Sequence, residues 1–126
     1  ADELSKALQE FDRLGLHSWR PEVLRLAGEA ALAAAPAGTD HAEGLFREAA
    51  RVAQQQGALM LRLRAAVSMA RLDLRLDRIP EGTSRLEAAI AAVAEDDDGP
   101  DLRKARNVAG RLRQRLGVPA LGRISG

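Results

Sequence analysis

The chain contains no cysteine, and only 2% of its residues are aromatic. Without cysteine, neither a disulfide framework nor a thiolate metal site can form, and we expect a cytoplasmic protein. The scarcity of aromatic side chains means that the core must be built from alanine, leucine and valine. No apolar run approaches the roughly 18 to 20 residues that cross a bilayer, and no signal peptide is visible, so we expect no contact with a membrane.

The chain also has no large excess of positive or of negative charge. Nineteen basic and eighteen acidic residues give a formal net charge of +1. Non-specific nucleic-acid binding needs a basic face, and single-stranded nucleic acid also needs stacking aromatics. We therefore do not expect this segment to bind nucleic acid.

The residues that are abundant favour α-helix. Alanine, leucine and arginine are strong helix formers, β-branched residues are sparse, and no convincing alternating strand occurs. The sequence therefore predicts an all-α fold with about six helices. They are expected over approximately 2–14, 19–35, 40–56, 58–76, 80–93 and 100–116.

Local signals place the helix ends. Ser18 is a plausible N-cap of the second helix, and Asp40 with Glu43 has the spacing of a capping box at the start of the third. Three glycines are expected to end helices in the left-handed conformation. They are Gly15, Gly57 and Gly117.

One spacing recurs three times and indicates how the helices pack. A small residue, a large apolar residue and another apolar residue stand at i, i+4 and i+7, which puts them on one helix face. The three trios are Ala7-Phe11-Leu14, Ala42-Phe46-Ala49 and Gly82-Leu86-Ala89, with starts 35 and 40 residues apart. This is the scale of a two-helix repeat.

The repeat predicts antiparallel helical hairpins stacked as an α-solenoid over residues 1–117, followed by a flexible tail over 118–126. Helix one carries the trio of a second helix in a pair whose first helix is missing. We therefore expect the segment to belong to a longer chain.

The Ala42-Phe46-Ala49 trio resembles helix B of the tetratricopeptide repeat. A closer resemblance runs in order through residues 19–117. It rests on AEGLFREA (42–49), AQQQGA (53–58), LRAAVSMARL (63–72) and DGPDLRKA (98–105). These segments are similar to the C-terminal tetratricopeptide-like region of large bacterial ATPase/cyclase-type or LuxR-type transcriptional regulators. The resemblance implies stacked hairpins that bind other macromolecules.

In tetratricopeptide stacks the first helix of each pair lines the concave surface. The resemblance therefore implies a partner-binding face formed by Glu22, Arg25 and Glu29 of the second helix with Arg64, Arg71 and Arg75 of the fourth. Three guanidinium groups there could hold a carboxylate or an acidic peptide by bidentate hydrogen bonds. The alternative is that these side chains form ion pairs within one helix, or are simply solvated.

No catalytic motif accompanies this pattern. The chain has no GxxxxGK[ST] phosphate loop, and its two histidines, His17 and His41, stand 24 residues apart without the ligand spacing of a metal site. We expect no enzyme activity, no cofactor and no metal site.

The predicted function is a protein-interaction or sensor domain of a bacterial regulator. Its expected partner is a protein, a peptide or another domain of the same parent chain. An oligomerisation or intramolecular regulatory scaffold is the first alternative, with a homo-oligomer as one form of it. A small-ligand pocket in the helical core is the second.

Overall fold

The computed structural model describes residues 2–93 and 99–117, and within these ranges the chain is all-helical. The predicted all-α class is confirmed, with no strand in the described ranges and six α-helices that pack against their neighbours in order. They are α1 (Asp2–Arg13), α2 (Arg20–Ala34), α3 (Asp40–Gln56), α4 (Leu59–Arg75), α5 (Ile79–Ala91) and α6 (Pro100–Leu116). The tail predicted over 118–126 lies outside the described residues.

The three glycines end their helices as predicted. Their φ angles are +76°, +70° and +74° for Gly15, Gly57 and Gly117, a region in which a side chain would be strained. At the ends of α3 and α6 the glycine amide donates back into the last helical turn. The left-handed residue thus satisfies carbonyls that the helix itself leaves without a partner.

Both predicted N-caps are wrong. A 3₁₀ turn over His17–Trp19 precedes α2, so Trp19 rather than Ser18 occupies the cap position. At α3 the cap position is Thr39, without a side-chain cap hydrogen bond. The Glu43 carboxylate instead accepts hydrogen bonds from Arg47. A charged donor outcompetes a backbone amide for the carboxylate, since charge-assisted hydrogen bonds are the stronger ones.

The helices form two layers, and short connections return the chain from one layer to the other. The even layer consists of α2, α4 and α6, with α4 touching both α2 and α6. The odd layer consists of α1, α3 and α5. Helix α3 packs against α2 and α4, and α5 packs against α4 and α6. Helix α4 is therefore the centre of the molecule. No helix in the described ranges is long and apolar enough to cross a membrane.

The recurring trio lies in the core in two of its three copies. Ala42, Phe46 and Ala49 of α3 are fully buried. A Cβ atom built on Gly28 of α2 would lie 2.5 Å from Cε1 of Phe46, so the ring occupies space that α2 leaves open. Leu86 of α5 is equally buried, inside the larger cluster that α4, α5 and α6 share.

Candidate functional site

The three helices of the even layer enclose a small polar cavity of about 230 Å³, which we call the cationic groove. Its basic lining comes from Arg25 of α2, Arg64 and Arg71 of α4, and Lys104 of α6. The composition of one helix does not produce this concentration of positive charge. It arises because α2, α4 and α6 lie side by side and each contributes one or two cations.

The α4 side of the groove follows directly from helical spacing. Arg64, Ser68 and Arg71 are separated by four and three residues, which places them on one face of the helix. Ser68 is buried, and its hydroxyl oxygen accepts a hydrogen bond of 3.3 Å from Nη1 of Arg25. The serine therefore connects α4 to α2 at the floor of the groove.

Two of the four cations are held by carboxylates. Arg25 donates from Nε and Nη2 to the two carboxylate oxygens of Glu22, at 2.9 and 2.7 Å. Arg64 donates from Nε to Oδ2 of Asp101 at 3.0 Å, and its Nη1 lies 3.4 Å from Oε2 of Glu22. These contacts link all three helices of the even layer.

The same contacts shift two pKa values. The hydrogen bond from Arg25 lowers the pKa of Glu22, and burial of the carboxylate opposes this effect only in part. The pKa of Arg25 is raised by its hydrogen bond to Glu22. Each group thus stabilises the charged form of the other, and the pair stays ionised at neutral pH.

The other two cations of the groove are different. Arg71 and Lys104 are exposed, and neither forms a hydrogen bond or ion pair with any residue of 2–93 or 99–117. Both nevertheless line the same cavity as the paired arginines. The groove therefore presents two cations whose charge no described side chain neutralises.

The predicted partner-binding residues are only partly brought together. Glu22, Arg25, Arg64 and Arg71 meet at the groove. Glu29 also lies on α2, and its charge contributes to the raised pKa of Arg25. Arg75 shares a face of α4 with Arg64 but is not part of the groove, because it donates to the backbone carbonyl of Pro36 in the α2–α3 connection.

The sequence prediction missed three polar residues of the groove, namely Ser68, Asp101 and Lys104. Helix α6 carries six basic residues scattered around its circumference, so the sequence alone does not single out any one of them. Only the packing of α6 beside α4 selects Lys104 from this set. The one available signal was the separation of three between Asp101 and Lys104, which places both on one side of α6.

A second ionic cluster lies on the opposite side of α4, and we call it the buried Asp73 cluster. The Asp73 carboxylate is fully buried, with Oδ2 lying 2.6 Å from Nη2 of Arg85 and Oδ1 lying 3.2 Å from Nε of Arg78. Arg78 also lies 2.8 Å from Glu43 of α3 and thereby lowers the pKa of that carboxylate. A Cβ atom on Gly82 would lie 2.8 Å from Cβ of Asp73, so α5 closes the cluster.

Compared with protein-family models, with curated proteins and with solved structures, the chain shows no match. What the site does must therefore be inferred from its own geometry. In that geometry the cationic groove is open and incompletely neutralised, whereas the buried Asp73 cluster is closed and paired.

Proposed function

We propose that this chain is a non-catalytic interaction module that binds an acidic segment of a protein partner in the cationic groove. The observation that carries the proposal is that Arg71 and Lys104 line one cavity without an acidic partner among the described residues. A carboxylate pair from a partner would supply the missing negative charge. The resemblance to the repeat region of bacterial regulators supports a sensor or regulatory role of the same kind, in the cytoplasm.

The groove is pre-organised for such a partner. Arg25 and Arg64 are already fixed by Glu22 and Asp101, so binding would not have to order them. A site that is ordered before binding loses less conformational entropy when the partner arrives. The new contacts would then fall on Arg71, which can grip a carboxylate with two N–H groups, and on Lys104, which acts as a point charge.

The size of the groove favours side chains of a peptide over a free small molecule. Pockets for small ligands are about 300 to 1,000 Å³ and mostly apolar. The cationic groove encloses about 230 Å³ and is lined mainly by charged groups. One or two carboxylate side chains fit that volume, and the rest of an extended segment would lie across the even layer outside it.

Fluorescence anisotropy with a labelled glutamate-rich peptide tests the proposal. We expect saturable binding that weakens as salt is raised, because salt screens exposed charges. The double variant Arg71→Ala/Lys104→Ala should bind at least about tenfold more weakly, since each hydrogen bond to a charged group contributes about 1.5–3 kcal/mol. A lysine-rich peptide of the same length should not bind.

The matched control is Arg47→Ala/Arg51→Ala. It removes the same amount of positive charge from exposed positions on α3, which does not line the groove. Its affinity for the acidic peptide should stay within about twofold of the parent chain. Equal weakening in both double variants would mean that net charge alone attracts the peptide, and the groove would lose its assigned role.

A further inference from the structure

The three copies of the recurring trio differ sharply in burial. The large residues of the second and third copies, Phe46 and Leu86, are both 0% exposed. In the first copy Phe11 is only partly buried, and Leu14 is 54% exposed. Trp19 follows in the next turn of the chain and is 50% exposed. The same sequence pattern is thus fully covered twice and only partly covered once.

The layer arrangement explains what the first trio lacks. Helix α3 lies between two even helices, α2 and α4, and α5 likewise lies between α4 and α6. Helix α1 packs against only one even helix, α2, and against the 3₁₀ turn. In the described ranges no even helix covers its other side.

At the opposite end of the stack an odd helix is missing, rather than an even one, among the described residues. Helix α6 belongs to the even layer, and no described odd helix follows it. Between α5 and α6 lies an open cavity of about 570 Å³ with an apolar floor formed by Ile90, Ala91, Ala109 and Gly110. A Cβ atom built on Gly110 would meet no atom within 4 Å, so this surface has room for an incoming side chain.

The two ends are also complementary in charge. Helix α1 carries four acidic and two basic residues, whereas α6 carries six basic residues and one acidic residue. Arg106 at the rim of the α5–α6 cavity forms no ion pair with any described residue. Opposite charges on the two ends favour their association over association of like ends.

We infer that copies of this chain associate head to tail, with α1 of one copy packing against the α5–α6 cavity of the next. Helix α1 would then lie between two even helices, as α3 and α5 already do, and the first trio would be covered. The interface joins two different surfaces of the chain. It is therefore heterologous and continues into a ring or a filament. This inference does not depend on the cationic groove.

Sedimentation velocity of the full chain at increasing protein concentration tests the association. We expect a rising average mass, reduced by added salt. Leu14→Glu should block the α1 end, and Gly110→Glu should block the α6 end. Leu14 is mostly exposed and Gly110 faces open space, so neither change should disturb the fold. Unchanged helical circular dichroism checks this.

Mixing the two variants distinguishes head-to-tail association from a symmetric dimer. Each variant keeps the end that the other has lost, so alone each should stay monomeric. Together they should form a complex of one copy of each and no larger species. Symmetric pairing through α1 would leave Gly110→Glu fully associated, and pairing through α6 would leave Leu14→Glu fully associated. Either result, or a monomeric parent chain at all concentrations, overturns the inference.

Matched substitutions elsewhere control for the added charge. Gly44→Glu places the same side chain on an exposed face of α3, where a Cβ atom also meets open space. Leu76→Glu does the same at an exposed leucine beyond α4. Both should associate like the parent chain. Loss of association in these controls would show that added negative charge alone disperses the copies, and would refute the assigned surfaces.

Discussion

The two sides of α4 both carry charge, yet they use it differently. Asp73 stands nine residues, or two and a half turns, from Arg64, so the two lie on opposite faces. On the Asp73 side the carboxylate is completely buried, and two arginines from α5 and the turn before it approach it. On the Arg64 side two neighbouring cations remain open to solvent.

The difference separates charge that stabilises the packing from charge that is available to a ligand. A buried carboxylate is tolerated only when cations and hydrogen bonds compensate its lost hydration. In the Asp73 cluster, Oδ2 accepts a hydrogen bond from Arg85, whereas Oδ1 is compensated only by the nearby charge of Arg78 and accepts no hydrogen bond from any described residue. The cluster joins α3, α4 and α5. Arg71 and Lys104 keep their hydration and need no internal partner. No described residue depends on either side chain for an ion pair or a hydrogen bond.

The largest expected effect comes from stranding the buried carboxylate. The double variant Arg78→Ala/Arg85→Ala should lower the free energy of unfolding by about 3–5 kcal/mol, because it leaves the Asp73 carboxyl group buried without a cation beside it. Urea denaturation at neutral pH measures this. Adding Asp73→Asn should restore part of the loss, since an amide has less hydration to lose. A triple variant no more stable than the double would show that the cost does not come from the stranded charge.

Acid should lower the free energy of unfolding by a smaller amount. One glutamate on each side of α4, Glu22 and Glu43, should contribute to this loss. The pKa values of Glu22 and Glu43 are lowered in the folded chain by the hydrogen bond from Arg25 and by the Arg78 guanidinium, respectively. A group with a lowered folded-state pKa stabilises the fold above its unfolded-state pKa, about 4.3 for glutamate. That contribution is lost as the pH falls through this value towards the folded-state pKa.

Unfolding free energies measured at pH 7 and at pH 3.5 test this expectation. Glu22→Gln and Glu43→Gln should each reduce the difference between the two pH values. Glu10 also has a pKa lowered by a hydrogen bond, from Arg13, but it is solvent-exposed, so Glu10→Gln should change the difference less. Equal effects of all three substitutions would remove the distinction between the partly buried pairs and the exposed pair.

Sequence patterns were sufficient for the helices but only partly for the groove. The trio around Phe46 predicted a buried face because its spacing matches the helical period, and the glycine signals predicted helix ends because φ depends on local sterics. The capping box at Asp40 failed because Glu43 binds Arg47 instead, and the cap at Ser18 failed because a 3₁₀ turn over His17–Trp19 moves the cap position to Trp19. Lys104 could not be predicted, since its place in the groove depends on how α6 packs against α4.

The smallest change in the free energy of unfolding is expected when the two unpaired cations of the cationic groove are removed. Arg71→Ala/Lys104→Ala removes two positive charges, as Arg78→Ala/Arg85→Ala does, but it strands no described carboxylate. Exposed substitutions of this kind usually change the free energy of unfolding by no more than about 0.5 kcal/mol. The same urea titration should therefore separate the two double variants by several kcal/mol. If the groove variant instead lost about as much stability as the other, Arg71 and Lys104 would hold the helices together, and their availability to a partner would be refuted.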